Sequence, residues 1–275
     1  MEYLLLTIAK NEGKFIETVI DSVRQQSKPP LLWLIVDDGS SDNTSSILKK
    51  ISDEFIYCSV LKTSKRDIGF EFGKKLAFGF NKLKTLANRK IKEWDFIAKL
   101  DADCTLDSKY FEKIVEVMEN DRKIGIMSGQ LHEYGKKKPD PCGPEPRGAA
   151  TVYSKGCFEK IGGFSQTPSH ESVESIMAKR FGFKTLQSDV TKFVHLRPVG
   201  SAMGLYEGHK QMGMAANWLG GTRTYAILRA LSLTFRKSAI CGIGFLVGFL
   251  VWEKGQTKNK LVKNSYKYRW KKLLN

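Results

Sequence analysis

YLLLTIAKNEGKFIETVIDSVRQQSKPPLLWLIVDD, residues 3–38, decides the fold. Two continuous apolar runs of strand length, YLLLTIA (3–9) and LLWLIVDD (31–38), flank a segment, 11–26, whose apolar residues recur at helical spacing. Runs that are apolar throughout, rather than alternating, belong to strands buried on both faces. Strand, helix and strand in that order make a βαβ unit, with its two strands parallel in one sheet.

Outward from this unit the alternation continues. DNTSSILKKIS (42–52) reads as a helix with Asp42 as its N-cap, and IYCSVLK (56–62) as a third strand. FGKKLAFGFNKLKTLA (72–87) is helical, WDFIAKL (94–100) is a fourth strand and SKYFEKIVEVMEND (108–121) another helix. The prediction is an α/β fold, a mostly parallel, Rossmann-like sheet flanked by helices, which binds ligands at the carboxyl ends of its strands. Past residue 122 come a short strand (IGIMSGQL), a polar loop (132–146) and a strand, turn and short helix over 148–164. A helix over 170–183 and a last strand, DVTKFVHL (189–196), follow.

Polar residues gather at the strand ends. Strand two runs into VDDGSSDNT (36–44), where Gly39 and Ser40 allow a tight turn and an acid can accept from a ribose hydroxyl or a base N–H. Strand four stops at Asp101 and Asp103, two carboxylates on one face that repel unless a cation joins them. A divalent metal is the expected partner, one that could bridge a diphosphate. His195 ends the last strand and is a second metal-ligand candidate. Glu171 and Glu174 share the start of a predicted helix, and either could act as a general base or simply answer the helix dipole.

The chain has 275 residues, enough for one large domain or a domain with an appendage. Its 45 Lys and Arg against 29 Asp and Glu give +16, a charge suited to phosphate-bearing ligands, anionic membranes or nucleic acid. A nucleic-acid binder leaves the ordered acids unexplained, since they would repel phosphate, and no nucleic-acid partner is expected. Five scattered cysteines with no CxxC pair suggest reduced thiols and a cytoplasmic protein. MEYLLLTIAKNE has no basic leader and reads as a first strand. Near the other end, SAICGIGFLVGFLVW (238–252) is apolar for 15 residues, short of the roughly 20 that span a bilayer. It could associate with a membrane, pack as a core helix or make an oligomer contact. The basic, aromatic-bearing residues 254–275 beside it favour a membrane surface reached through 236–275.

The order of these motifs resembles the nucleotide-sugar glycosyltransferases of family 2, with the GT-A fold, over roughly residues 1–200. TIAKNE (7–12) resembles the opening strand and turn, VDDGSSDNT the nucleotide-recognition turn, and KLDADC (99–104) the metal-binding DxD. RGAATVYSKGCFEKIGGF (147–164) resembles the acceptor-side segment, HESVESIMAKRFGFKT (170–185) the segment of the base, and HLRP (195–198) that of a late histidine. The resemblance implies a catalytic domain over 1–200, with a nucleotide-sugar part (1–125) and an acceptor part (126–200); the apolar and basic tail adds the expectation of a helical, membrane-proximal extension over 201–275. It implies a nucleotide site at Thr7, Ala9, Glu12, Asp37 or Asp38, Arg66, Asp67 and Asp101. Mn²⁺ or Mg²⁺ would sit at Asp103 and His195, with Asp101 on the metal or its water. Arg147, Gly148 and His170 would face the acceptor, and Glu171 or Glu174 would stand where the family usually has an aspartate base. The implied activity is inverting transfer from a nucleotide-diphosphate sugar to a glycan or lipid-linked acceptor at the inner face of the cell membrane. A homo-oligomer is a further expectation. The rivals are a catalytically degenerate sugar-nucleotide binder and a nucleotidyltransferase, although no glycine-rich, basic phosphate loop stands near the N-terminus.

Overall fold

The structure is a computed structural model that describes residues 2–51, 56–61, 72–90, 93–143, 145–167, 169–198 and 204–251. Arg66, Asp67 and the basic end from 252 onward lie outside the described residues.

Strands β1 (Tyr3–Ala9), β2 (Leu32–Asp37), β3 (Ile56–Val60) and β4 (Phe96–Leu100) are mutually parallel. Helices α1 (Ile16–Arg24), α2 (Thr44–Lys50) and α3 (Phe72–Lys90) connect them. All seven residues of β1 are buried, and they alternate between two cores. Tyr3, Leu5 and Ala9 join one with α1; Leu4, Leu6 and Ile8 join the other with α3. This is why the strand reads as a continuous apolar run: each face has its own helical layer.

Beyond β4 the sheet is mixed. It continues through β5 (Cys104–Leu106), β6 (Ile124–His132), β7 (Ala150–Ser154) and β8 (Lys184–His195) in the order β3-β2-β1-β4-β7-β6-β8-β5. Strand β7 is antiparallel to β4 and β6, and β5 is antiparallel to β8, so the expected parallel character holds fully only for the first half. Helices α4 (Tyr110–Asn120), α5 (Lys155–Lys160) and α6 (His170–Arg180) complete this layer arrangement. The chain steps from β1 to β2 and β3 on one side and then crosses back to β4 on the other side of β1, so a crevice opens where the order reverses. Asp42 does not take the N-cap position of α2, which falls to Asn43, but its carboxylate accepts from Thr44 N at 3.0 Å.

Three further helices, α7 (Leu205–Trp218), α8 (Arg223–Arg236) and α9 (Ala239–Val251), form a third apolar cluster with Val173, Ile176 and Met177 of α6. Helix α9 presses glycines against α7. A Cβ on Gly213 would lie 2.0 Å from Phe245 O, one on Gly248 1.9 Å from Lys210 O, and one on Gly244 2.6 Å from Tyr206 O. With its small residues turned inward, α9 shows Ile240, Ile243, Leu250 and Val251 to solvent, each more than half exposed. No helix among the described residues is long and apolar enough to cross a membrane.

Candidate functional site

The carboxyl ends of β1, β2, β4 and β8 meet at one edge of the sheet. Two turns close the end of this edge beside β1 and β2. Asn11, in the left-handed region at φ 56°, accepts from Ser41 N at 2.8 Å, and Asp42 accepts from Gly13 N at 3.0 Å. These bonds lace 10–13 to 38–44. Asp37 is buried and held inside its own turn by Ser40 N and the Ser45 hydroxyl. Asp38 is also buried, paired with Lys75 at 2.6 Å and Lys10 at 3.3 Å. The side chains of Thr7 and Ala9 do not line this crevice. Thr7 accepts from the Trp33 indole in the core at 3.0 Å, and Ala9 packs in the core beneath the turn. Two residues apart on β1, both lie on the face that packs against α1.

The two acids after β4 already have protein cations. Asp101 pairs with Lys99 at 2.9 Å, and Asp103 with Arg197 Nε at 2.6 Å. Arg197 also grips Glu12. The repulsion expected to call for a metal is therefore offset in part by Lys99 and Arg197. Burial pushes Glu12 up to about 7 against the pull of Arg197, and pushes Asp101 up to about 6 against that of Lys99.

Strand β5, three residues long, pairs Cys104 with His195 and so brings Asp103 beside the histidine. Asp103 Oδ2 is 3.7 Å from His195 Nδ1, a buried ring nitrogen with no hydrogen-bond partner among the described residues. Asp103, Cys104 and His195 offer donor atoms that lie within 4.8 Å of one another, the one such group among the described residues. The carboxylate suits Mn²⁺ or Mg²⁺, and a neighbouring imidazole favours Mn²⁺ over Mg²⁺, which prefers oxygen ligands. Burial keeps the Cys104 thiol protonated, which leaves it a poor ligand.

Glu171 and Glu174 sit in different surroundings. Glu171, 44% exposed, lies 3.2 Å from Lys99 and faces the crevice. Its carboxylate occupies the space that a side chain at 148 would fill: a Cβ on Gly148 would be 1.7 Å from Oε1. Desolvation opposes ionisation there, but the Lys99 ammonium outweighs it and holds Glu171 below the usual glutamate range. Glu174 is 1% exposed and accepts from Tyr153 Oη at 2.6 Å and Ser165 N at 2.8 Å, and burial pushes it up to about 7. His170 packs near the Phe72 ring, and burial lowers it to about 4, which leaves the imidazole neutral. Arg147 donates its N–H to Ser128 and lies 3.5 Å from Asp140, beside Gly148.

The model of the family described as "Glycosyl transferase family 2" matches residues 5–169. The chain belongs to that family. Among curated proteins, the poly-β-1,6-N-acetyl-D-glucosamine synthase of Staphylococcus aureus is 28% identical over 123 residues, which cover 43% of this chain and 26% of that protein. The chain thus spans about a quarter of the length of the curated relatives it matches. Among solved structures, the mannosyltransferase PcManGT of Pyrobaculum calidifontis, in complex with GDP-Man and Mn²⁺, superposes with a TM-score of 0.60 at 13% identity. That match covers 93% of this chain and 88% of the other. S. aureus TarS 1–349 in complex with UDP-GlcNAc gives 0.53 at 13% identity, over 100% and 80%. At these identities the structures establish a shared fold, a mixed α/β sheet flanked by helices.

Lys99, Arg197, Lys75 and Lys10 supply most of the cationic lining, and sequence reasoning assigned none of them. For Lys99 a signal was present: a lysine inside FIAKL, at the same strand parity as Asp101, has to find acceptors at that strand end.

Proposed function

We propose that this family 2 chain is an inverting glycosyltransferase that moves a sugar from a nucleotide-diphosphate sugar to an acceptor hydroxyl. The observation that carries the reading is the facing pair of charge centres: Asp101 and Asp103 on one side of the crevice, Glu171 on the other, joined through Lys99. Asp38, or Asp37 beside it, holds the base or ribose, with Glu12, Asp101, Arg66 and Asp67 as further nucleotide-side residues. Lys10, Lys75 and Arg197 bring positive charge to the diphosphate. Asp103 and His195 would hold Mn²⁺ or Mg²⁺, with Asp101 near it, and a metal there supplies electrophilic stabilisation of the leaving phosphate oxygen.

Glu171 takes the proton of the acceptor hydroxyl. The acceptor oxygen bonds to the anomeric carbon from the side opposite the diphosphate, the bond to the phosphate oxygen breaks, and its electron pair leaves with the nucleoside diphosphate. One displacement inverts the anomeric configuration. Glu174 is the weaker choice for the base, because Tyr153 and Ser165 occupy both of its oxygens. His170, neutral, and Arg147 flank the acceptor. The GDP-Man, UDP-GlcNAc and Mn²⁺ of the structural neighbours support the donor class and the metal. A glycan or lipid-linked acceptor at a membrane surface, met through 236–275 at the inner face, fits the apolar outer face of α9. The test is nucleoside diphosphate release from UDP- and GDP-sugars with acceptor glycans, followed by NMR of the product's anomeric signal. An inverted linkage formed with Mn²⁺ is expected, and a retained configuration would overturn the single displacement.

A further inference from the structure

We propose that Lys99 is a positioning residue: it fixes the acceptor-side carboxylate Glu171 against the donor-side carboxylate Asp101. The proposal rests on the glycosyltransferase reading above. Lys99 lies within β4, is 2% exposed, and has its Nζ over the Phe72 ring, 5.3 Å from the ring centre. An ammonium has three N–H donors. Here three acceptors from separate parts of the chain surround it: Gly148 O at 2.7 Å, Asp101 Oδ1 at 2.9 Å and Glu171 Oε1 at 3.2 Å. A lysine held by a strand with every donor engaged has lost the freedom that a surface lysine keeps.

Each contact bears on the crevice. Gly148 leaves the room that the Glu171 carboxylate fills, and Lys99 holds the Gly148 carbonyl in place. Lys99 takes Oε1 of Glu171, whose side chain is 44% exposed, so the carboxylate is anchored at one oxygen while still open to the crevice. A buried ion pair adds little stability over an apolar residue of equal volume. A triad of one lysine and two crevice carboxylates is therefore better explained by geometry at the reacting groups than by stability. Lys99 does not touch the acceptor or move a proton; it acts through Glu171.

The test is a double-mutant cycle on the full chain, read as UDP or GDP release from UDP-GlcNAc and GDP-mannose with Mn²⁺. Calorimetric binding of UDP and GDP and thermal melting are measured beside it. Glu171→Gln is expected to slow release by a factor on the order of 10²–10⁴. Lys99→Met is expected to lower kcat roughly 10²-fold, the cost of a misplaced group, while nucleotide affinity stays within about threefold. The Lys99→Met, Glu171→Gln double variant is expected to be no slower than Glu171→Gln alone, because Lys99 then has no base to position. Factors that multiply, or a Lys99→Met enzyme within about twofold of wild type, would overturn the proposal. Lys99→Gln replaces the methionine variant if the latter does not melt cooperatively, and failure of both to fold assigns Lys99 a structural role instead. Failure of the underlying reading looks different: wild type releases no nucleotide, or Glu171→Gln matches it, and the proposal falls with that reading.

Discussion

Asp103 and Glu174 are both buried carboxylates, and the site asks opposite things of them. Asp103 lies 3.7 Å from His195 Nδ1, so Asp103→Asn is expected to fold, to lose Mn²⁺-dependent nucleotide binding and to lose most turnover. Isothermal titration with and without Mn²⁺ checks this, and near-normal turnover in EDTA would contradict it. Glu174 is raised from 4.5 to about 7 by burial. A carboxyl that binds its proton more tightly in the fold contributes fully below its unfolded value, and loses that contribution as pH rises to its folded value. Wild type is therefore expected to lose thermal stability between about pH 4.5 and 7 more steeply than Glu174→Gln. The gap should reach on the order of a few kcal/mol above pH 7, and parallel melting curves for the two proteins would contradict it. Glu174→Gln is also expected to keep transfer, in contrast to Glu171→Gln. The sequence could name this pair but not separate its members. They stand three residues apart at the start of one helix, and only the tertiary contacts of Tyr153 and Ser165 show which one is enclosed.

At the scale of elements, the parallel half of the sheet was readable because its strands are apolar on both faces and lie between amphipathic helices. Two features were not. Strand β5 has only three residues, and it exists because β8 offers it an edge. The first half of β8, KTLQS (184–188), precedes the strand expected over 189–196, yet it pairs with β6 through Thr185, Leu186 and Gln187. Local propensity carries no record of such partners. Without β5, Asp103 and His195 would not meet, so the metal candidates could be named but not joined. Packing of α7 on α9 is the element feature easiest to break. Gly213→Val would drive side-chain atoms into the Phe245 carbonyl, and a loss of roughly 1–3 kcal/mol in thermal or urea unfolding is expected. Unchanged stability would contradict the close glycine contact.

For the whole molecule, the helical appendage shares its apolar cluster with α6, the helix that carries Glu171 and Glu174. Anything that holds α7–α9 therefore holds the acceptor side of the crevice. Ile240, Ile243 and Leu250 on α9 and Phe235 on α8 are exposed, and eight Lys and Arg follow within 254–275. Residues of that kind contribute about 1 kcal/mol each near an anionic leaflet. Full-length protein is expected to float with phosphatidylserine vesicles at low salt. The combined substitution Phe235→Asp and Ile243→Asp should release it while leaving nucleotide binding intact. Equal flotation of both proteins would remove this face from the account. Truncation after about residue 235 is a poorer test, because it strips α9 from α7 and exposes their shared core.

The central claim is that the crevice binds a nucleotide-diphosphate sugar with a divalent cation, and one measurement addresses it most directly. Thermal melting of the full chain is followed across UDP- and GDP-sugars, each with Mn²⁺ and with EDTA. A ligand present at about 100 times its Kd stabilises the fold by ~2.7 kcal/mol. In a chain of this size that raises Tm by roughly 5 °C or more. The account predicts such a rise for at least one nucleotide sugar, present with Mn²⁺ and abolished by EDTA. Melting curves that no nucleotide sugar moves, with the metal present, would contradict it.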